Sequence, residues 1–238
     1  MVAHDADETA DAPDRQSVTP TMEDYLRHIY RLSEEGNGWV TNAQLAERID
    51  VERATVTSMF GALATAGLID REKYQPVRLT DDGRTLALDV VRRHRLVETF
   101  LLDVFGYRIS EVDVEADVLE HHVSDRLCRE IDDLLGQPET DPHGDPIPDA
   151  DLQLDEDAGA TALTEVAIAA SVEVTRVLTQ DQRVLDHLVS AGIEPTATLT
   201  LDERAPFGMV TVTVDGGGQT SLPEAVASTV LVSEQSGE

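Results

Sequence analysis

The chain has 238 residues, 18 Lys plus Arg against 47 Asp plus Glu for a formal net charge of -29, and one cysteine, Cys128. A single cysteine excludes an internal disulfide and points to a reducing interior. No apolar run approaches the roughly 18 residues of a membrane span, and residues 1–16 are polar and acidic rather than a secretory signal, so two or three small domains of a soluble cytoplasmic protein are expected.

Residues 1–18, rich in Asp, Ala and Thr without apolar periodicity, read as a disordered acidic tail that carries no site. Thr19-Pro20-Thr21 then signals a helix start, with Tyr25, Leu26, Ile29, Tyr30 and Leu32 at helical spacing, and Gly36-Asn37-Gly38 stops it. Thr41 caps a second helix, Asn42 to Ile49. After Asp50-Val51-Glu52 a third runs from Arg53 to about Ala66, closed by Gly67. Helix, tight turn, helix, with Ala46, Val56 and Leu63 facing inward, is the helix-turn-helix pattern. Its third helix opens with Arg53, Thr55, Thr57 and Ser58, short polar groups suited to base edges and phosphates. Leu68 to Thr80 predicts two short strands around Lys73 to Pro76, a wing carrying Arg71, Lys73, Tyr74 and Arg78. The expected DNA contacts are Thr41, Arg53, Thr55, Thr57, Ser58, Lys73, Tyr74 and Arg78; a three-helix core that binds no DNA is the alternative.

A charge of -29 argues against nucleic acid until its distribution is considered. Residues 15–95 hold 12 basic and 12 acidic side chains, leaving 6 basic and 35 acidic elsewhere. The excess therefore lies outside the helix-turn-helix.

Thr80-Asp81-Asp82-Gly83 starts another helix, whose pattern continues through Arg92-Arg93-His94-Arg95 to Leu102 with apolar residues on more than one face. Leu119, Val123, Leu127, Ile131, Leu134 and Leu135 form a second apolar stripe. Both suit a homodimer interface or an intrachain core, and Cys128 falls on the polar side of the stripe. If Asp113 to Asp125 is helical, Asp117, Glu120 and His121 sit at i, i+3 and i+4 and share one face that can hold a metal. His94 and Glu98 repeat the i, i+4 spacing upstream, and Asp24 lies on the first helix. Carboxylates with imidazoles and no thiolate suit Mn²⁺ or Fe²⁺ better than Cu⁺ or a structural Zn²⁺. An acidic solvated helix is the competing reading.

Residues 139–159, rich in Pro, Asp and Gly, are expected to form a linker. Beyond it Val172 to Val177, Ala197 to Leu201, Val210 to Val214 and Thr229 to Val232 read as strands and Asp181 to Ala191 as a helix, giving a small β-rich domain.

Four blocks in order carry a family resemblance: T-M-E-D-Y-L at Thr21 to Leu26, R-R-H-R-L-V-E at Arg92 to Glu98, E-H-H at Glu120 to His122, and P-H-G-D-P-I-P at Pro142 to Pro148. From about Thr19 onward the chain resembles the diphtheria toxin repressor and manganese transport regulator family of metal-dependent transcriptional repressors. The resemblance implies a mainly α fold with a small β domain. Its parts are an N-terminal winged helix-turn-helix (19–88), a helical metal-binding and dimerisation domain (89–138), the linker (139–159) and an SH3-like domain (160–234). It assigns a primary metal site to Asp24, Asp117, Glu120 and His121, places His94 and Glu98 in or beside a second, and puts Asp113 where some iron-responsive members have a histidine ligand. Thr179 and Gln182 match positions of the β domain that lend ligands in iron-type members. Oxygen at Asp24 and Asp117, where the iron type has sulfur, favours Mn²⁺ over Fe²⁺. Arg27, where the manganese type has a second acid, argues against a full binuclear manganese site.

Lys73 is the single lysine, and a lysine-poor, acid-rich balance resembles proteins of salt-loving archaea. At molar salt the Debye length is only about 3 Å, so a distant acidic surface would hardly repel DNA. The sequence thus predicts a cytoplasmic homodimer that binds a palindromic duplex under Mn²⁺ or Fe²⁺ control. A metal-dependent hydrolase and a metal-independent winged-helix regulator are the alternatives.

Overall fold

The structure, a computed structural model, describes residues 18–72, 75–154 and 159–234. Lys73, Tyr74 and residues 1–17 of the tail expected at 1–18 lie outside the described residues. The chain divides after Val91 into two compact units.

In the first unit, α1 (Pro20–Glu34) is capped by the Thr19 hydroxyl, which accepts from the Met22 amide, and buries Tyr25, Leu26, Ile29 and Tyr30. α2 (Asn42–Arg48) begins with a capping box in which Thr41 and Gln44 satisfy each other's backbone amides. α3 (Arg53–Thr65) buries Val56, Phe60 and Leu63, so the inward triad expected from the pattern, Ala46, Val56 and Leu63, is inside. β1 (Ile69–Arg71) and β2 (Val77–Leu79) pair antiparallel with Asp70 opposite Arg78, and Val40 bridges to Val77, which ties the wing to the segment before α2. α4 (Asp81–Phe105) starts where the Thr80 hydroxyl accepts from the Gly83 amide; a Cβ at Gly83 would come 1.9 Å from the Leu68 carbonyl oxygen, so this close approach requires glycine.

The second unit opens on the C-terminal half of α4. α5 (Ile109–Leu119) and α6 (Asp125–Leu135) pack on it through Val97, Leu101, Val112 and Ala116, and through Leu96, Cys128, Ile131 and Ile147. Six antiparallel strands follow: β3 (Thr161–Ala162), β4 (Ser171–Val177), β5 (Thr198–Ala205), β6 (Met209–Val214), β7 (Gln219–Pro223) and β8 (Val230–Glu234), in sheet order β3-β8-β4-β5-β6-β7. They enclose a Val- and Leu-rich core with α7 (Gln182–Ser190), which is capped by Asp181.

Three expectations are corrected. The helix expected across Asp113 to Asp125 is broken: α5 ends at Leu119, Glu120 is its cap, and Ser124 caps α6 with its hydroxyl, so His121 lies in the intervening turn. That break resets the helical phase. Cys128 is consequently buried rather than on the polar side, while Leu127 and Leu134 of the expected stripe are exposed. Of the segment read as a linker, residues 155–158 lie outside the described residues and residues 139–148 are bound into the second unit. The Pro146 and Pro148 carbonyls accept from Arg95 and Arg92, Ile147 enters the helical core, and the His143 carbonyl accepts from the Val177 amide at 2.8 Å. Gly144, at φ +84°, lies so close to β4 that a Cβ would be 2.0 Å from the Thr175 carbonyl oxygen.

Candidate functional site

The first candidate surface is the outer face of α3. Arg53, Thr55, Thr57 and Ser58 are all exposed on the two turns that open the helix. Thr57 is committed locally: its hydroxyl donates to the Arg53 carbonyl at 2.8 Å and accepts from the Asn42 side-chain amide at 2.7 Å. A hydroxyl has one proton and two lone pairs, so Thr57 keeps one acceptor, which suits a base amino group and not a phosphate oxygen, and Asn42 becomes a helix-spacing residue that the sequence pattern did not reveal. Thr41 is spent on its capping box. Arg78 donates to Asp70 at 2.8 Å and lies 5.2 Å from the Trp39 ring centroid. An exposed pair of this kind is worth about 0–1 kcal/mol, so Arg78 can exchange it for a phosphate at little cost.

The second candidate is a polar cluster in the second unit. His94, on α4, is fully buried. Its Nδ1 lies 2.6 Å from Glu120 Oε2 and 3.5 Å from Asp117 Oδ1, and its Nε2 lies 3.4 Å from Asp113 Oδ1 and 3.5 Å from Glu98 Oε1. His94 is thus the hub of the predicted ligands. His121 Nε2 lies 3.6 Å from Glu120 Oε1 on the turn between α5 and α6. Asp24 belongs to α1 in the first unit and is half-buried.

The polar cluster includes two residues the sequence reading did not name as ligands, Asp141 and His143. With the expected Glu98 they are buried and offer ligand atoms within 4.8 Å of one another, as do the expected His94, Asp113 and Asp117. Asp141 turns its chain by accepting from the His143 and Asp145 amides through Oδ1, which leaves Oδ2 3.5 Å from Arg95 Nε. His143 Nδ1 lies 3.6 Å from Glu98 Oε1, and its buried Nε2 has no hydrogen-bond partner among the described residues. The local signal was an acid and an imidazole two residues apart, Asp141 and His143, in a proline-rich segment; the contact with the distant Arg92 to Arg95 block was not visible in it. In the β domain, Gln180 rather than the matched Thr179 or Gln182 reaches the cluster, donating to Asp113 Oδ1 at 2.8 Å.

Burial would raise the Glu98 carboxyl, but the facing imidazoles of His94 and His143 outweigh it and hold the group below the ordinary carboxylate range. Asp141 is pushed well above it, by burial and then by the like charges of Glu98 and Asp145, against Arg95. Four carboxylates around one buried imidazole are stable together only if protons or a cation offset their charge. The orphaned His143 Nε2 and the all-oxygen-and-nitrogen donor set fit a divalent ion such as Mn²⁺ or Fe²⁺. Cys128 is in the apolar core and adds no thiolate.

Three family models match consecutive parts of the chain. Residues 17–77 match the iron dependent repressor N-terminal DNA binding domain, 80–149 the iron dependent repressor metal binding and dimerisation domain, and 161–234 the FeoA domain. The iron-dependent repressor IdeR of Mycobacterium tuberculosis is 37% identical over 227 residues, 90% of this chain and 97% of its own length. The chain belongs to the iron-dependent repressor family. Within that family, the diphtheria toxin repressor of Corynebacterium diphtheriae is 38% identical over 57% of this chain and 60% of its own. A solved manganese-dependent transcriptional repressor in complex with manganese superposes with a TM-score of 0.82 at 41% identity, covering 90% of this chain and 99% of that one. The manganese regulator SloR gives 0.73 at 33% identity over 92% and 100%.

Proposed function

We propose that this iron-dependent repressor family member is a homodimeric, Mn²⁺- or Fe²⁺-responsive repressor that binds a palindromic operator and controls metal-uptake genes. The observation that carries the reading is the pairing of an exposed α3 reading face with a buried carboxylate and imidazole cluster centred on His94. Exposed Val114, Val118, Leu119, Leu127 and Leu134 on α5 and α6 support a second copy as partner, and a symmetric dimer suits two half-sites.

Asp24, Asp117, Glu120 and His121, the set that the family resemblance assigns, are the proposed primary ligands. His94, Glu98, Asp113, Asp141 and His143 are the proposed secondary set. When bound, a divalent cation supplies positive charge and directional bonds to oxygen and nitrogen. In its absence the carboxylates of Glu98, Asp113, Asp117 and Glu120 repel one another around His94, so the ion-free protein favours an arrangement that spreads them. A ligand shifts such an equilibrium only by its differential affinity, and moving from 1:99 to 99:1 needs about 5.5 kcal/mol. Manganese is favoured over iron by the hard oxygen donors Asp24 and Asp117.

The hydrolase alternative leaves the helix-turn-helix and wing without a role. No helix among the described residues is long and apolar enough to cross a membrane, which accords with the proposed cytoplasmic location. The single lysine and acid excess support an origin in a salt-loving archaeon. The test is electrophoretic mobility of metal-transporter promoters with Mn²⁺, with Fe²⁺ and with chelator, at high salt. A retarded complex that appears with metal and disperses on chelation is expected; a metal-indifferent complex would leave a metal-independent regulator.

A further inference from the structure

α3 has only one basic residue of its own, Arg53, and its other exposed side chains, Ala54, Thr55, Thr57, Ser58, Ala62 and Thr65, are short and uncharged. It also carries a glycine, Gly61, in its interior, where glycine is the least favourable residue apart from proline. Nothing in the backbone asks for it. Gly61 has ordinary helical geometry, and a Cβ built there meets one neighbour within 4 Å: Nη1 of Arg71, at 3.3 Å. Gly61 lies four residues after Thr57 and three after Ser58, so it shares their exposed face. The Arg71 side chain, rooted on β1, is therefore laid across the outer face of α3 in the gap that the missing side chain leaves.

The charge pattern of this unit singles out the same residue. Arg48 pairs with Glu35, Arg78 with Asp70 and Arg84 with Glu34. Among the described residues, no ion pair involves Arg53 or Arg71, and both are exposed. Among the described residues of this unit, the guanidinium groups left without an ion pair are thus the two on the α3 face.

We propose that Arg71, seated over Gly61, is a specificity-determining residue that reads a guanine in the operator's major groove. The inference rests on the DNA-binding reading of α3. Its location within the footprint of the helix, rather than at the wing tip, turns the guanidinium toward base edges. There its planar pair of N–H donors fits guanine O6 and N7, while the short neighbouring side chains allow close approach.

The experiment uses full-length protein with Mn²⁺. An operator is selected from a random duplex library, and affinity is measured by fluorescence anisotropy for wild type, Arg71→Ala, Arg71→Lys and Gly61→Ala, on that operator, on duplexes with each G·C pair replaced, and across a salt series. Arg71→Ala should weaken operator binding by about 10- to 100-fold and erase the preference at one G·C pair, leaving the salt slope and binding to unrelated duplex nearly unchanged. Arg71→Lys should not restore that preference. Gly61→Ala should melt no lower than wild type yet lose part of the same preference, because the new methyl displaces the guanidinium. A uniform loss on all duplexes with a shallower salt slope would identify a phosphate contact and overturn the guanine assignment, as would unchanged preference in Arg71→Ala. Failure of wild-type protein to select any duplex would overturn the DNA-binding reading itself, and this inference with it.

Discussion

Glu98→Gln replaces a buried carboxylate that faces His94 and His143 with a neutral group of nearly the same shape. Glu98, Asp141 and His143 offer ligand atoms within 4.8 Å of one another, so there is a point within about 2.8 Å of all three. At that distance, and with an effective dielectric near 20, a divalent ion and one carboxylate attract by roughly 12 kcal/mol before desolvation and the repulsion from Asp141 are subtracted. Even if three quarters of that is offset, about 3 kcal/mol remains, which is roughly 100-fold in affinity. Isothermal titration of metal-free protein with Mn²⁺ should therefore show one class of site weakened by about 100-fold, with the helical content unchanged. Wild-type affinity and stoichiometry in Glu98→Gln would refute the assignment of these three residues to an ion.

Asn42→Ala and Thr57→Ala should each weaken operator binding, and the double variant should lose less than the sum, by about 0.5–1.5 kcal/mol, because both remove one hydrogen bond; strict additivity in a double-mutant cycle would show that the two act separately. Gly144→Ala should destabilise the second unit by at least about 2 kcal/mol in urea unfolding, since its positive φ and the Thr175 carbonyl both oppose a side chain; an unshifted midpoint would contradict that contact. Asp24→Met should move the metal response from Mn²⁺ toward Fe²⁺, read as the order of half-maximal concentrations for operator binding; an unaltered ranking would show that this position does not set selectivity.

The winged helix-turn-helix was legible because its signals are local: caps at Thr19 and Thr41, inward Ala46, Val56 and Leu63, and two short strands around a polar turn. The β domain was legible for the same reason, in alternating Val and Thr. What the sequence obscured depends on contacts between distant segments. Helical spacing alone put Asp117, Glu120 and His121 on one continuous helix, whereas Ser124 starts a new one and His121 reaches Glu120 from a turn. Asp141 and His143 read as linker because nothing local shows that Arg92 and Arg95, some fifty residues earlier, bind the Pro148 and Pro146 carbonyls and draw that segment inward. Cys128 changed sides when the helix phase was reset. His94 and Glu98, by contrast, were visible from their i, i+4 spacing and do face each other across 3.5 Å.

The central claim is that metal held by these carboxylates and imidazoles controls DNA affinity, and it is tested most directly by operator anisotropy of wild type and His121→Ala, each titrated with Mn²⁺ from a chelated start at constant high salt. Salt must be fixed because phosphate binding falls steeply as it rises. The account predicts that Mn²⁺ tightens wild-type binding at least about tenfold, a coupling of about 1.4 kcal/mol, while His121→Ala stays folded and dimeric but unresponsive. Metal-stimulated operator binding by His121→Ala at the wild-type midpoint would contradict it.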